Sequence, residues 1–180
     1  SFCTHKKVLE QYLLLTQEYE TVIPIVSESA ASTDTRFGSA ADFLKTFETA
    51  AGRSAIRCIR DAEPIGPKKL LDALVIAPCT GNTLAKLSGG VTDSTVTLAA
   101  KAHLRNGRPV LLAIASNDAL AGNAENIGRL LARKHYYFVP FGQDDPEGKP
   151  CSLVADMNQL RPALEAALQG RQLQPLLLHT

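Results

Sequence analysis

The sequence has little net charge, no long hydrophobic run and no clustered cysteines, and each absence excludes a class of protein. The formal net charge is +1 and no basic stripe is interleaved with aromatic residues, which argues against a nucleic-acid or acidic-polymer partner. Apolar runs such as Leu111–Ala115 are far too short to cross a membrane. The four cysteines have no CxxC or metal-ligand spacing. We therefore expect reduced thiols in a cytoplasmic protein and no metal centre.

Length and composition favour one domain over residues 1–180. A chain of this size with 45% apolar residues can bury a core of its own. No secretory signal is visible, and the sequence opens inside a turn-like stretch. We therefore expect that the natural N-terminus lies upstream of Ser1.

Predicted strands and helices alternate along the chain. Apolar and β-branched runs predict strands at Thr21–Val26, Ala55–Ile59, Ala73–Ala77, Val110–Ala115 and Tyr136–Pro140. Helical periodicity and capping residues predict helices ending at Glu18, following Ser39, starting near Leu84, covering Asp93–Asn106, following Asp118 and covering Leu160–Leu168. Pro78 is expected to end the central strand, because proline cannot donate to a ladder. This alternation predicts an α/β fold with a parallel sheet flanked by helices on both faces.

The turn after the central strand is the main candidate site. A strand that feeds a turn of small polar residues and then a helix directs free N–H groups at one point, which suits a phosphate or another anion. Here the turn contains Thr80, Gly81, Asn82 and Thr83. A helix cap alone needs one hydroxyl, so we favour a phosphate- or flavin-binding role. Capping of the following helix remains the alternative.

Two further polar turns, Ser27 onward and Ser116–Asp118, are predicted to meet it at the carboxyl ends of the strands, where ligands bind in open α/β sheets. Ser1 and Thr4 open the first helix, where they either bind a phosphate or cap the helix. Ser27 follows the Thr21–Val26 strand. Ser116 and Asn117 follow the Val110–Ala115 strand and are candidates for contacting a ligand ring or a substrate carboxylate. Cys79 has no partner spaced to activate it, so we interpret it as a packing residue.

The central segment Ala77–Leu87, together with Thr92 and Asp93, resembles the signature of the flavoprotein family that includes the homo-oligomeric flavin-containing cysteine decarboxylases. Other segments resemble one branch of that family, whose members belong to a bacterial enzyme that oxidises a cyclic dicarboxylate. These segments are Ser1–Thr4, Ser32–Gly38, Glu63–Lys68, Lys101–Gly107, Ser116–Leu120 and Phe138–Pro146. The resemblance implies a Rossmann-like three-layer sandwich, a homo-oligomer and FMN as the ligand. It also implies that the family's first strand belongs before Ser1.

The resemblance further implies a role in sporulation, a second protein chain that carries NAD(P), and a small dicarboxylate substrate. Arg36 is then the candidate substrate-binding residue, because a guanidinium binds carboxylates bidentately. A surface ion pair between Arg36 and Asp34 is the alternative. His5 lies close to the inferred site and is a candidate for proton transfer.

Two departures from the decarboxylase pattern argue against that reaction. The Glu63–Gly66 segment has no histidine where the decarboxylases carry a catalytic one. The decarboxylases also carry a substrate-binding motif after the next strand, and of that motif this sequence retains only Asn117. The specific catalytic residues stay unassigned. The alternatives are a non-catalytic ligand-binding or assembly module, and a flavin-dependent enzyme that acts on another carboxylate without a partner chain.

Overall fold

The computed structural model describes residues 4–34 and 39–178. Within these ranges the helices are α1 (His5–Glu18), α2 (Glu28–Ser32), α3 (Ala40–Ala51), α4 (Ile59–Ala62), α5 (Gly81–Gly89), α6 (Thr95–Leu104), α7 (Ala124–Leu131) and α8 (Leu160–Leu168). The strands are β1 (Leu74–Cys79), β2 (Val110–Ser116), β3 (Tyr136–Phe138), β4 (Phe141–Gly142) and β5 (Leu153–Ala155). Short 3₁₀ helices cover Glu63–Ile65 and Met157–Gln159. The predicted α/β class is confirmed.

The sheet is mixed, which corrects the prediction of a purely parallel one. β1 and β3 both pair with β2 in parallel. β5 pairs antiparallel with the last two residues of β2 and with β4. Parallel neighbours need a long crossover connection, usually a helix. The fully described segment between β4 and β5 contains no helix, so the chain returns in the opposite direction.

The two predicted N-terminal strands are reduced to a single parallel bridge between Ile25 and Ile56. The Ile56 N–H donates to the Pro24 carbonyl at 2.9 Å, and the Val26 N–H donates to the Ile56 carbonyl at 3.0 Å. The ladder therefore uses the carbonyl of Pro24 and requires no N–H from it. The segment predicted as a strand at Ala55–Ile59 gives way to α4 at Ile59.

Pro78 does not end the central strand, contrary to the prediction. β1 continues to Cys79, which pairs opposite Ile114, and the register with β2 shifts between Ile76 and Cys79. Proline lacks a ladder donor, and the chain accommodates it with this irregularity instead of stopping.

The helix starts follow the predicted capping residues. The Ser39 hydroxyl accepts from the Asp42 N–H at 3.0 Å, and Ser94 forms a capping box with Thr97. At the start of α1, Thr4 is the N-cap residue but makes no side-chain capping hydrogen bond. In the described part of the chain, no helix combines the length and apolar character needed to cross a membrane.

Candidate functional site

A cavity of about 1210 Å³ lies between β1 and the Thr21–Val26 segment. Small-molecule pockets usually measure about 300–1,000 Å³, so this space is large for one ligand. Its polar end lies near the last residues of β1 and of the Thr21–Val26 segment and is formed by Ser27, Glu28, Thr80, Asn82, Thr83, Lys86 and Ser94. The rest is an apolar trough, walled by Val8, Tyr12, Leu15, Phe43, Phe47, Val96 and Leu164.

The predicted Thr80–Thr83 turn lies at the polar end. Thr80 is the N-cap of α5 and accepts from the Thr83 N–H at 3.5 Å. The two hydroxyl oxygens are 3.3 Å apart. Asn82 lies between them in the chain and lines the cavity. The capping hydrogen bond therefore gives the Thr80 hydroxyl a role that needs no ligand, whereas Asn82 lines the cavity and could contact a ligand.

Gly81 brings this turn against the end of β2. A Cβ atom at Gly81 would lie 2.6 Å from Asn123 Nδ2, 2.7 Å from Ser116 Oγ and 2.9 Å from Asp118 Oδ1. A side chain at this position would have to displace these three groups, so glycine permits the close approach. The structure thereby brings the turns after β1 and β2 together, although binding by Gly81 or Ser116 stays a prediction.

A carboxylate organises the end of β2. Ser116 Oγ donates to Asp118 Oδ1 at 2.5 Å, and Asn123 Nδ2 donates to Asp118 Oδ2 at 2.8 Å. These two hydrogen bonds, the one from Ser116 first, hold the pKa of Asp118 below its usual value. Asp118 is therefore ionised at neutral pH beside the first residue of α5.

Sequence reasoning missed the structural role of Asp118 and Asn123. The signal available was the Ser-x-Asp spacing directly after a buried strand, since such side chains readily bond one another in tight turns. Ser116 is buried and its hydroxyl is engaged with Asp118. Asn117 is exposed. Among the described residues around the cavity, neither Ser116 nor Asn117 forms part of the wall.

A second carboxylate faces the start of α6. Glu28 Oε1 accepts from Thr95 Oγ1 at 2.6 Å and from the Thr95 N–H at 3.2 Å. Partial burial pushes the pKa of Glu28 up, but the hydrogen bonds from the Thr95 side chain and backbone outweigh it and leave that pKa lowered. The N-termini of α5 and α6 are thus both faced by the protein's own negative charge, which weakens their attraction for a phosphate.

One cation also lines the polar end. Lys86 Nζ lies 2.8 Å from Asp93 Oδ1. That hydrogen bond is the main cause of the lowered pKa of Asp93. The Lys86 side chain is the half-buried member of the pair, and it supplies positive charge beside Asn82 and Thr83.

The remaining predicted site residues fall into two groups. Ser27 lines the cavity and caps α2, accepting from the Ala30 N–H at 3.2 Å. Thr4 is buried at the start of α1. Ser1, Arg36 and the side chain of His5 lie outside the described part of the structure. Asp34, the alternative partner of Arg36, accepts from the Ala40 N–H at 2.8 Å.

Cys79 is completely buried at the end of β1. Burial raises the pKa of its thiol, so the sulfur stays protonated and is a poor nucleophile. Its interpretation as a packing residue agrees with this environment.

Comparisons with known sequences give one family model and one curated relative. A sequence model of the family described as Flavoprotein matches residues 11–159. The B subunit of dipicolinate synthase from Bacillus subtilis (strain 168) is 49% identical over 178 residues, which cover 99% of this chain and 89% of that protein.

Solved structures agree with the sequence match. The crystal structure of the B subunit of dipicolinate synthase from Bacillus halodurans is 45% identical, with a TM-score of 0.91 over 100% of this chain and 92% of that one. The FMN complex of Burkholderia xenovorans DmrB is 19% identical, with a TM-score of 0.62 over 90% of this chain and 89% of that one; this likeness concerns the fold alone. The chain belongs to the flavoprotein family.

Proposed function

We propose that this chain is the B subunit of dipicolinate synthase, a two-component oxidoreductase that oxidises dihydrodipicolinate to dipicolinate, pyridine-2,6-dicarboxylate, in sporulating cells. The observation that carries the proposal is the 49% identity to such a B subunit over 99% of the chain. The A subunit of dipicolinate synthase is the proposed partner and carries NAD(P). We assign the complex to the cytoplasm.

The polar end of the cavity supports FMN as the ligand. Asn82, Thr83 and Ser27 line it with neutral hydrogen-bonding groups beside an apolar wall, which suits a flat ring with polar edges. When bound, FMN supplies a two-electron acceptor. Glu28 and Asp118 disfavour a phosphate at the starts of α6 and α5. Of the proposed contacts, Thr4, the N-cap of α1, and Ser1, three positions before it in the sequence, are therefore the better candidates for the phosphate.

Substrate binding is assigned to cationic groups. A dicarboxylate needs charge-assisted hydrogen bonds, for which Arg36 is our candidate, and Lys86 adds a cation at the polar end. Ser116 and Asn117 stay candidates for contacting the ligand from the side of β2.

Peptidyl-cysteine decarboxylation is not proposed. The Glu63–Gly66 segment carries no histidine. Ile65 is fully buried there, and a Cβ at Gly66 would lie 3.0 Å from the Ala102 carbonyl oxygen. Within the described residues, this segment does not line the cavity, so it offers no proton donor to a ligand there.

Reconstitution tests the catalytic role. The chain is purified with and without the proposed partner, and dipicolinate formation is followed with NAD(P) present. We expect full activity only when the two proteins are combined. Full activity of the proposed partner by itself contradicts a catalytic role for this chain.

An absorption spectrum of the purified protein tests whether FMN is bound. Absorbance at flavin wavelengths, with mass spectrometry of the released ligand, is expected to identify FMN. Asn82→Ala is expected to weaken binding of added FMN about tenfold, equivalent to about 1.4 kcal/mol. Asn158→Ala, at an exposed asparagine in the Met157–Gln159 turn, is the control and should bind FMN unchanged. Equal affinities for the two variants contradict the assignment of Asn82.

A ligand-binding or assembly module is the second candidate. It is favoured by the capping hydrogen bonds of Thr80 and Ser27, which satisfy both hydroxyls without any ligand. This candidate predicts that the chain assembles into a homo-oligomer and joins its proposed partner while binding no flavin. Absorbance at flavin wavelengths in the purified protein therefore separates the two candidates, since only the first predicts bound FMN.

A further inference from the structure

The positive charge of the chain is concentrated in three short connections, those that lead into β1, β2 and β3. These connections, residues 67–73, 105–109 and 132–135, hold six of the 19 lysines and arginines in the sequence. The six are Lys68, Lys69, Arg105, Arg108, Arg133 and Lys134. Asp72 is the one carboxylate within these connections. The rest of the chain has more carboxylates than cations, so its charge is unevenly distributed.

The fold brings the three connections together at one end of the sheet. β1 and β3 run parallel to β2, and the first residues of the three strands pair in one row, Leu74 with Val110 and Val110 with Tyr136. Neighbouring strands lie about 4.8 Å apart, so the connections that enter them are adjacent. The His135 carbonyl accepts from the Val110 N–H at 2.8 Å, and a Cβ at Gly107 would lie 3.8 Å from His135 Nε2. We call the surface of these three connections the amino-end face.

Arg108 fixes the connection before β1. Its Nη1 atom donates to the Lys69 carbonyl at 3.2 Å and to the Leu71 carbonyl. The same atom lies 3.1 Å from Asp72 Oδ1, so the carboxylate of the face is already paired. Lys69 has a φ of 51°, in the left-handed region that residues other than glycine seldom adopt. The Arg108 hydrogen bonds, together with that from the Lys69 N–H to the Gly66 carbonyl at 3.1 Å, hold this connection in one arrangement.

Two of the six cations are engaged within the protein, and four are free. Arg133 donates to the Leu87 and Ser88 carbonyls at 3.0 and 2.6 Å, where it caps the end of α5, and Arg108 is engaged as above. The remaining four are exposed and form no ion pair with any described residue. They are Lys68, Lys69, Arg105 and Lys134. Like charges gathered on one surface create a positive potential that attracts negatively charged partners.

Helix ends explain only part of this charge. Arg105 and Lys134 follow α6 and α7, and a cation at the end of a helix complements the helix dipole. Lys68 and Lys69 follow only the three-residue 3₁₀ helix Glu63–Ile65, so the dipole gives no reason for them. The positive charge at this position therefore calls for a different explanation.

Anionic lipid headgroups fit the amino-end face better than a protein or a nucleic acid does. Specific protein interfaces are enriched in arginine and aromatic residues and depleted in lysine, whereas three of the four free cations are lysines. The three connections contain no Phe, Tyr or Trp, the residues on which single-stranded nucleic acids stack. Duplex grooves admit a helix or a β-ribbon, and the face consists of connections. A cluster of lysines and arginines alone suffices for a negatively charged bilayer surface.

We propose that the amino-end face binds reversibly to the surface of a bilayer that contains anionic phospholipids. The polar end of the cavity lies near the last residues of β1, whereas the face lies at the first residues of that strand, so the bound protein keeps its cavity accessible. Glu28 and Asp118 also lie at the far end, which keeps their negative charge away from the headgroups. Leu70 and Leu71 line the cavity, so the attraction is mainly electrostatic and is screened by salt.

Sedimentation with lipid vesicles tests the proposal. The chain is mixed with vesicles of phosphatidylglycerol and phosphatidylcholine, or of phosphatidylcholine alone, and the bound fraction gives a partition coefficient. We expect binding only to the vesicles that contain phosphatidylglycerol, and loss of that binding in high salt. The double variant Lys68→Glu/Lys69→Glu should lower the partition coefficient at least about tenfold.

Lys6→Glu/Lys7→Glu is the matched control. These two exposed neighbours lie in α1, so the same change in net charge is made outside the amino-end face. This variant should lower the partition coefficient less than about threefold, because salt screens charges that are remote from the bilayer surface.

Several results overturn the proposal. Equal losses in the two double variants would assign binding to the net charge of the chain instead of to the face. Equal binding to both kinds of vesicle, or binding to neither, would exclude recognition of anionic headgroups. Capture by polyglutamate or by a DNA duplex, without binding to vesicles, would assign the face to an acidic protein or to a nucleic acid.

A second variant decides the matter if Lys68→Glu/Lys69→Glu does not fold. Arg105→Gln/Lys134→Gln removes the other two free charges of the face and should lower the partition coefficient about tenfold. An unchanged coefficient in this variant overturns the proposal. The measurement needs no flavin, substrate or proposed partner protein, so its failure is distinct from a failure of the proposed function.

Discussion

β1 and β2 have similar apolar sequences but differ in how completely the protein surrounds them. All seven residues of β2 are buried, because β1 pairs with it on one edge while β3 and β5 pair with its two ends. In β1, buried residues are interspersed with partly exposed ones, and its outer edge faces the trough. An apolar run in the sequence therefore predicts an interior strand, but how deeply that strand is buried depends on whether other strands pair with both of its edges.

Matched valines give the largest expected difference between the two strands. Val110 of β2 is fully buried, and Val75 of β1 is partly exposed. We expect Val110→Ala to lower the free energy of unfolding by about 2–3 kcal/mol, from lost burial plus a cavity. Val75→Ala should cost less than about 1 kcal/mol in the 180-residue chain. Urea denaturation measures both, and equal losses would show that the strands are equally enclosed.

Gly81 tests the contact that joins the ends of the two strands. Gly81→Ala places a methyl group against Ser116, Asp118 and Asn123, and we expect a loss of about 2 kcal/mol from overpacking. Gly128→Ala in α7 is the control, because nothing outside the adjacent residues and the nearby backbone of its own helix lies within 4 Å of its Cβ position. That change should stabilise the protein by about 0.4–1 kcal/mol. If both variants melt like the unaltered protein, the two turns are not in close contact.

Asp118 tests how much the hydrogen bonds at the end of β2 contribute to stability. Asp118→Asn is expected to lower stability at pH 7 by about 0.5–1 kcal/mol, since exposure to solvent reduces the value of its hydrogen bonds. The pKa of Asp118 is lowered in the folded state. Its contribution is therefore present above the unfolded pKa, near about 3.9, and is lost as pH falls through the folded pKa.

Urea midpoints at pH 7 and pH 3 measure this effect. The difference between the unaltered protein and Asp118→Asn should shrink at the lower pH. A difference that stays constant would mean that the charge of Asp118 contributes nothing to stability.

Glu28, at the polar end of the cavity, gives the smallest expected effect. Glu28→Gln retains a hydrogen-bond acceptor for Thr95 but removes the negative charge at the start of α6. We expect a loss of about 0.3–1 kcal/mol at low ionic strength, fading in high salt. Thermal melting at two salt concentrations measures it. A loss that is unchanged by salt would assign the role of Glu28 to hydrogen bonding alone.

Much of the local structure could be predicted because it depends on neighbouring residues. Ser39 and Ser94 are helix caps as predicted, and the predicted strand at Val110–Ala115 differs from β2 by one residue. Thr80 caps α5, which was the alternative to the favoured ligand-binding role. The Pro78 prediction was wrong because a proline's effect on a strand depends on whether its partner can shift register. The antiparallel pairing of β5 was missed because a run of three apolar residues does not indicate whether a strand runs parallel or antiparallel to its neighbours.

The sequence by itself determined the α/β class, the helix caps and the polar turns that follow β1 and β2. These features arise from side-chain periodicity and from hydrogen bonds within a few residues. Only the tertiary structure decided that Glu28 bonds to Thr95, 67 positions away, and that Asp118 lies against Gly81. Such contacts bring together charges and backbone groups from distant segments, and no local pattern specifies which of many polar residues will meet.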